Sequence, residues 1–100
     1  MYDMAKLTKL GTLKENAGDA MAAFEALDKA ALGDGEIPKK YKELIALGVA
    51  LTTQCAYCLE IHGKAAKDAG ASEKEISETV FIAMALRAGA ALTHGTHLLK

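Results

Sequence analysis

Nowhere along this chain do apolar and polar residues alternate with the period of two that a half-buried strand requires; apolar positions instead recur three and four residues apart. That periodicity predicts an all-α fold. Composition agrees, because 51% of the residues are hydrophobic, only 5% are aromatic, and 20 of the 100 are Ala. Ala is the best helix former, and its small side chain lets helix axes approach closely. A chain of 100 residues makes one domain, 1–100, and buries only about two thirds of its unfolded surface. Apolar side chains in excess of what so small a core can hold predict an oligomer.

Turn residues divide the chain into about six helices. The first two patterns cover 4–15 and 19–32, with Met21, Phe24, Leu27 and Leu32 on the repeating positions of the second. Asn16-Ala17-Gly18-Asp19 breaks them into a helical hairpin, with Asp19 as the predicted N-cap. Gly33-Asp34-Gly35-Glu36 and the single proline, Pro38, read as a turn, not a domain linker. Pro38 suits the first turn of a third helix reaching Thr53, since its missing N–H would have no intrahelical partner there. One face of that helix carries Tyr41, Leu44, Ile45, Gly48, Val49 and Thr52, with Gly48 at a predicted close contact and Glu43 among apolar neighbours. A fourth helix runs from about Cys55 to Ala69 and stops at Gly70, a left-handed cap position. Ser72-x-x-Glu75 is a capping box that opens a fifth helix, ending near Ala88 and apolar at Ile76, Val80, Ala83 and Met84. A last helix covers 90–98 and carries His94 and His97.

The net charge of −1 and the lack of a basic stretch with interleaved aromatics argue against a nucleic-acid partner. The longest apolar runs, 44–51 and 80–86, fall well short of the roughly 20 residues of a membrane span, so no membrane association is expected. The first residues, Met1-Tyr2-Asp3-Met4-Ala5-Lys6, lack the pattern of a secretory signal, and the expected location is cytoplasmic. Two cysteines three positions apart cannot staple a disulfide scaffold. Their spacing suggests chemistry.

If the fourth helix begins near Cys55, both sulfurs of Cys55-Ala56-Tyr57-Cys58 lie in its first turn. Unpaired N–H groups and the helix dipole there favour the thiolate, lowering a thiol pKa from about 8.5. Such a pair attacks a peroxide or disulfide and closes on itself. His62, four residues beyond Cys58 and seven beyond Cys55, shares their helix face, and an imidazole with an ordinary pKa of about 6.5 can shuttle the proton. Glu43, twelve residues before Cys55 on the preceding helix, can orient that imidazole or extend the relay. Spacing alone does not choose between the cysteines. It also leaves open a zinc-stabilised oligomeric binding protein, with Cys55, Cys58 and His62 as ligands and His94 or His97 as the fourth, or a redox sensor whose disulfide changes assembly. Tyr57 reads either as a pocket border or as a packing aromatic, His94 and His97 as surface or interface residues, and Lys39-Lys40-Tyr41-Lys42 as a solvated helix start without a ligand.

Glu43, Cys55-Ala56-Tyr57-Cys58 and His62 together resemble the alkylhydroperoxidase D-like proteins of the carboxymuconolactone decarboxylase superfamily. The resemblance is best over 38–91; the first two helices match only in general character. It implies a peroxiredoxin-type enzyme, a thiol-dependent peroxidase or disulfide oxidoreductase that reduces hydroperoxides without a bound cofactor or metal. Cys58 would then be the attacking cysteine, Cys55 the resolving one, and Glu43 with His62 the proton relay. The implied partners are a small hydroperoxide, a lipoyl-type or thioredoxin-like dithiol reductant, and further copies of the chain in a trimer or hexamer. Two departures stand out: this chain is shorter than the best-known peroxidase of the family, and Tyr57 occupies a position that is His there. The decarboxylase branch generally lacks the cysteine pair, so lactone decarboxylation is not expected.

Overall fold

The computed structural model describes residues 2–100. A 3-10 turn, Met4–Lys9, leads into five α-helices: α1 (Leu10–Asn16), α2 (Gly18–Leu32), α3 (Lys39–Thr53), α4 (Ala56–Asp68) and α5 (Glu73–Gly95). A second 3-10 turn, Thr96–Leu98, closes the chain, and no strand occurs among the described residues. The all-α expectation holds.

The helix ends follow from local chemistry, with two shifts from the sequence reading. Ala17, at φ −139° and ψ 58°, separates α1 from α2 and is the N-cap; Asp19 falls two residues further, in the first turn, where its carboxylate lies at the positive end of the helix dipole. Pro38 stands just outside α3 in extended conformation, and its carbonyl accepts the N–H groups of Tyr41 and Lys42 at 3.0 and 3.1 Å. Gly70 adopts the left-handed conformation, φ 94°, that turns the chain out of α4. The Ser72–Glu75 capping box is fully formed: Ser72 Oγ accepts the Glu75 N–H at 3.0 Å, and a Glu75 carboxylate oxygen accepts the Ser72 N–H at 2.9 Å. Those bonds and the Lys40 ammonium, 3.1 Å away, hold the Glu75 carboxyl below the usual carboxylate range. The same pairing raises Lys40 above its ordinary value.

The fifth and sixth sequence-predicted helices are one. Gly89 lies inside α5, and the alanines around it carry the backbone ladder through. An isolated interior glycine costs only about 1 kcal/mol relative to Ala, too little to end a long Ala-rich helix. Joining the two segments also lengthens the apolar run: within Glu73–Leu98 a stretch of 18 residues reaches a mean hydropathy of 1.3 and satisfies the length and composition of a membrane span, with 6% of that 18-residue stretch buried. A core helix of a protein assembly satisfies the same measure. α5 lies alongside α3, with the Lys40–Glu75 ion pair between them and Thr79 Cγ2 within 3.8 Å of where a Cβ on Gly48 would stand.

The buried residues gather in one place. Glu43, Leu47 and Ala50 of α3, Ala66 of α4 and Ala83 of α5 form the core, and α3 is its centre because α4 and α5 both pack on it. α1 and α2 pair with each other, α2 contacts α3 only lightly, and neither buries a residue. Phe24 and Leu27 of α2 are 60% and 65% exposed. The Cα radius of gyration, 16.6 Å, therefore exceeds the about 13 Å of a compact 100-residue domain, and the molecule measures 53 × 33 × 28 Å. The front hairpin is an arm beside a small three-helix body.

Candidate redox site at the start of α4

Between α3 and α4 the chain reverses within two residues. Gln54 takes the left-handed conformation, φ 57° and ψ 46°, and the Cys55 N–H returns to the Ala50 carbonyl at 3.0 Å. A non-glycine residue in that region stores strain, and here the strain sits directly beside the cysteines. Cys55 is then the N-cap of α4, and its sulfur accepts the Cys58 N–H at 3.2 Å. Cys58 follows in the first turn, as the spacing predicted. The two sulfurs are joined in a disulfide, with the Cα atoms 5.3 Å apart, so the described state is the oxidised one. On reduction, both sulfurs would lie among the free N–H groups at the positive end of α4, which favours a thiolate.

One helical turn further, His62 meets Glu43. His62 Nδ1 lies 2.7 Å from Glu43 Oε2, bridging α4 to α3 across 19 residues of sequence. The Glu43 side chain is 2% exposed, among the most buried in the chain, whereas that of His62 is 21% exposed. With Glu43 as a carboxylate, which has no proton to give, Nδ1 is the donor of this bond, and the neutral imidazole then presents Nε2 as its acceptor nitrogen. Glu43 Oε1 accepts a hydrogen bond from Lys39 Nζ at 3.1 Å, so both carboxylate oxygens are satisfied. Sequence reasoning took Lys39 for a solvated residue without a ligand. The i,i+4 spacing from Lys39 to Glu43 was the available signal, and burial of the carboxylate gives it weight.

The N-terminal segment also reaches this corner. The Tyr2 hydroxyl donates to the Gln54 carbonyl at 2.6 Å, the Tyr2 and Tyr57 rings meet edge to face with centroids 5.6 Å apart, and the Asp3 N–H reaches the Tyr57 hydroxyl at 3.4 Å. Tyr57 is thus a packing aromatic for an incoming strap. Nothing in the sequence signals a contact 52 residues long. His94 and His97 lie exposed at the end of α5 with ring centroids 6.0 Å apart, and the His94 ring pairs with its own helix at the Ala90 carbonyl. Among the described residues no group of three or more His, Cys, Asp or Glu side chains is arranged to hold a metal ion, so the four-ligand zinc set of the alternative reading is not assembled.

Fold and site together define a small all-helical protein with a Cys-x-x-Cys pair at a helix start and, one turn on, a half-buried His paired to a buried Glu. The profile of the carboxymuconolactone decarboxylase family matches residues 18–100. The chain belongs to that family. Among curated proteins it is 44% identical over 77 residues to one named "Uncharacterized protein 4 in cox locus" from Paracoccus denitrificans, covering 77% of this chain and 69% of that one. It is 32% identical over 81 residues to an uncharacterized protein of Cupriavidus necator, covering 81% and 72%. A solved carboxymuconolactone decarboxylase family protein from Legionella pneumophila superposes with a TM-score of 0.78 at 31% identity, over 90% of this chain and 80% of that one. A protein from Methanobacterium thermoautotrophicum shares the fold, with a TM-score of 0.83 at 23% identity over 90% and 98%. The front strap and α1 precede the family match.

Proposed function

We propose that this protein is a thiol-dependent peroxidase or disulfide oxidoreductase that cycles Cys55 and Cys58 between dithiol and disulfide, with Glu43 and His62 as its proton relay. The observation that carries the reading is the Cys55–Cys58 pair at the start of α4 on the helix that also presents His62 to a buried carboxylate. In the reduced protein His62 Nε2 takes the proton of the Cys58 thiol. The thiolate sulfur attacks one oxygen of a hydroperoxide, the O–O bond breaks, and the departing alkoxide leaves as an alcohol with the proton from His62. Cys58 is now a sulfenic acid. The Cys55 sulfur attacks the Cys58 sulfur and expels hydroxide, which takes up the Cys55 proton and leaves as water, giving the disulfide. A dithiol donor of the lipoyl or thioredoxin type returns two electrons and two protons. Cys58 is given the attacking role and Cys55 the resolving role by resemblance to the family's cysteine-containing branch.

The exposed apolar faces of α2 and α5 support a homo-oligomer; the family resemblance adds that it is a trimer or hexamer, and the cytoplasm is the location proposed for it. Phe81, Ile82, Met84 and Leu86 of α5 are each at least half exposed in one copy, a cost that association removes. The test is hydroperoxide consumption by purified protein with a dithiol reductant, beside Cys58→Ser and Cys55→Ser variants. Loss of turnover in both supports the cycle; equal rates in all three proteins would overturn it.

A further inference from the structure

We propose that Lys39 is a positioning residue of the redox centre: its ammonium balances the buried Glu43 carboxylate so that His62 can stand as a neutral base. This rests on the relay reading above but is tested apart from it. Glu43 lies in the core of α3, with one oxygen facing Lys39 Nζ at 3.1 Å and the other facing His62 Nδ1 at 2.7 Å. A buried carboxylate needs a compensating positive charge nearby. With Lys39 in place that charge comes from outside the proton path, because an alkyl ammonium stays protonated at neutral pH. Without Lys39, His62 is the one cation left to Glu43 in this geometry. The imidazole then holds its second proton longer, and Nε2 is no longer free to accept one from a thiol.

The surrounding charges are already committed. Lys40 of α3 pairs with Glu75 of α5, Lys42 donates to the Gly33 carbonyl, and the Asp34 carboxylate of the α2–α3 turn accepts the Lys39 backbone N–H at 2.7 Å. On α4, Lys64 pairs with Asp68, and Cys55 and Cys58 are uncharged in the disulfide. Lys39 itself spans two anchors, since Nζ also reaches the Leu32 carbonyl at 3.5 Å. Its side chain remains 46% exposed, so replacing it leaves the core intact while removing the charge from one carboxylate oxygen.

The test is an NMR titration of the imidazole C–H signal of His62 in the oxidised protein, identified by its loss in His62→Gln. Wild type is compared with Lys39→Met, Lys39→Gln and Lys39→Arg, and the His94 and His97 signals serve as internal controls. In Lys39→Met the His62 midpoint moves up by about one pH unit, the effect of removing a like charge and leaving the carboxylate to the imidazole. Lys39→Gln moves it in the same direction, and Lys39→Arg restores the wild-type midpoint. With hydroperoxide and a dithiol, Lys39→Met turns over about tenfold more slowly at neutral pH and recovers as pH rises. Equal His62 midpoints in wild type, Lys39→Met and Lys39→Gln would overturn the proposal. If wild type consumes no hydroperoxide, the peroxidase reading fails, and the titration still decides the role of Lys39.

Discussion

α3, α4 and α5 bury Glu43, Leu47, Ala50, Ala66 and Ala83 against one another, whereas α1 and α2 bury nothing and leave Phe24 and Leu27 more than half exposed. The same Ala-rich helix chemistry thus gives a shared core, with an apolar face of α5 still exposed, in one part of the chain and no core in the other. Partner number explains the difference. α3 touches a helix on two sides, while α2 has mainly the short α1 to lie against. The body holds every residue of the candidate relay, while the arm carries exposed apolar side chains such as Phe24 and Leu27. Mutations in the arm therefore probe the apolar surface of α2 apart from the Glu43–His62 pair.

The largest expected effect is in the body. Cys58→Ser abolishes hydroperoxide turnover, while Cys55→Ser permits at most a single oxidation of Cys58 per chain, read by mass spectrometry as a sulfenic acid or its adduct. Glu43→Gln keeps the shape of the side chain but removes the charge that orients His62, and the peroxidase rate falls by about 100-fold, measured by stopped-flow consumption of hydroperoxide. In the arm, Phe24→Asp with Leu27→Asp shifts the assembly toward smaller species in light scattering, with helicity and titratable thiols after reduction unchanged. If activity vanished with assembly, the separation of body and arm would be wrong.

Smaller effects test how the body is tied together. Ser72→Ala removes one half of the capping box at the start of α5 and costs about 1 kcal/mol, a fall of about 4–8 °C in Tm by calorimetry. The smallest is a pH effect. Glu75 has its carboxyl lowered from an ordinary value of 4.5, first by the Ser72 N–H and then by Lys40, so its stabilising contribution is present above the unfolded value. It is lost as pH falls through the lowered folded value. The Tm gap between wild type and Glu75→Gln is therefore constant from neutral pH to about pH 5 and closes on further acidification. Lys40 has the opposite sign: its raised value keeps its contribution until pH climbs past the ordinary 10.5.

Much of the body was legible residue by residue. Ser72-x-x-Glu75, Gly70 and the Cys55–Cys58 helix start are short-range signals, in which side chain and backbone partner lie within four positions, and each formed where the spacing placed it. The errors were also local. Asp19 entered the first turn of α2 while Ala17 took the cap, and Gly89 did not stop α5, because one glycine costs a helix less than its alanines and its packing on α3 return.

The sequence by itself determined the all-α fold, the break at the arm, and the placement of Cys58 and His62 four residues apart on α4 just beyond the Cys55 cap, because these depend on periods of three and four residues that any α-helix obeys. Only the tertiary structure decided the rest. It buried Glu43 and set its two oxygens between Lys39 and His62, brought Tyr2 across to Gln54 and Tyr57, and left α1 and α2 open. Those outcomes depend on which helices lie beside one another, and the worth of a carboxylate–imidazole contact is set by how much water the neighbouring helix excludes.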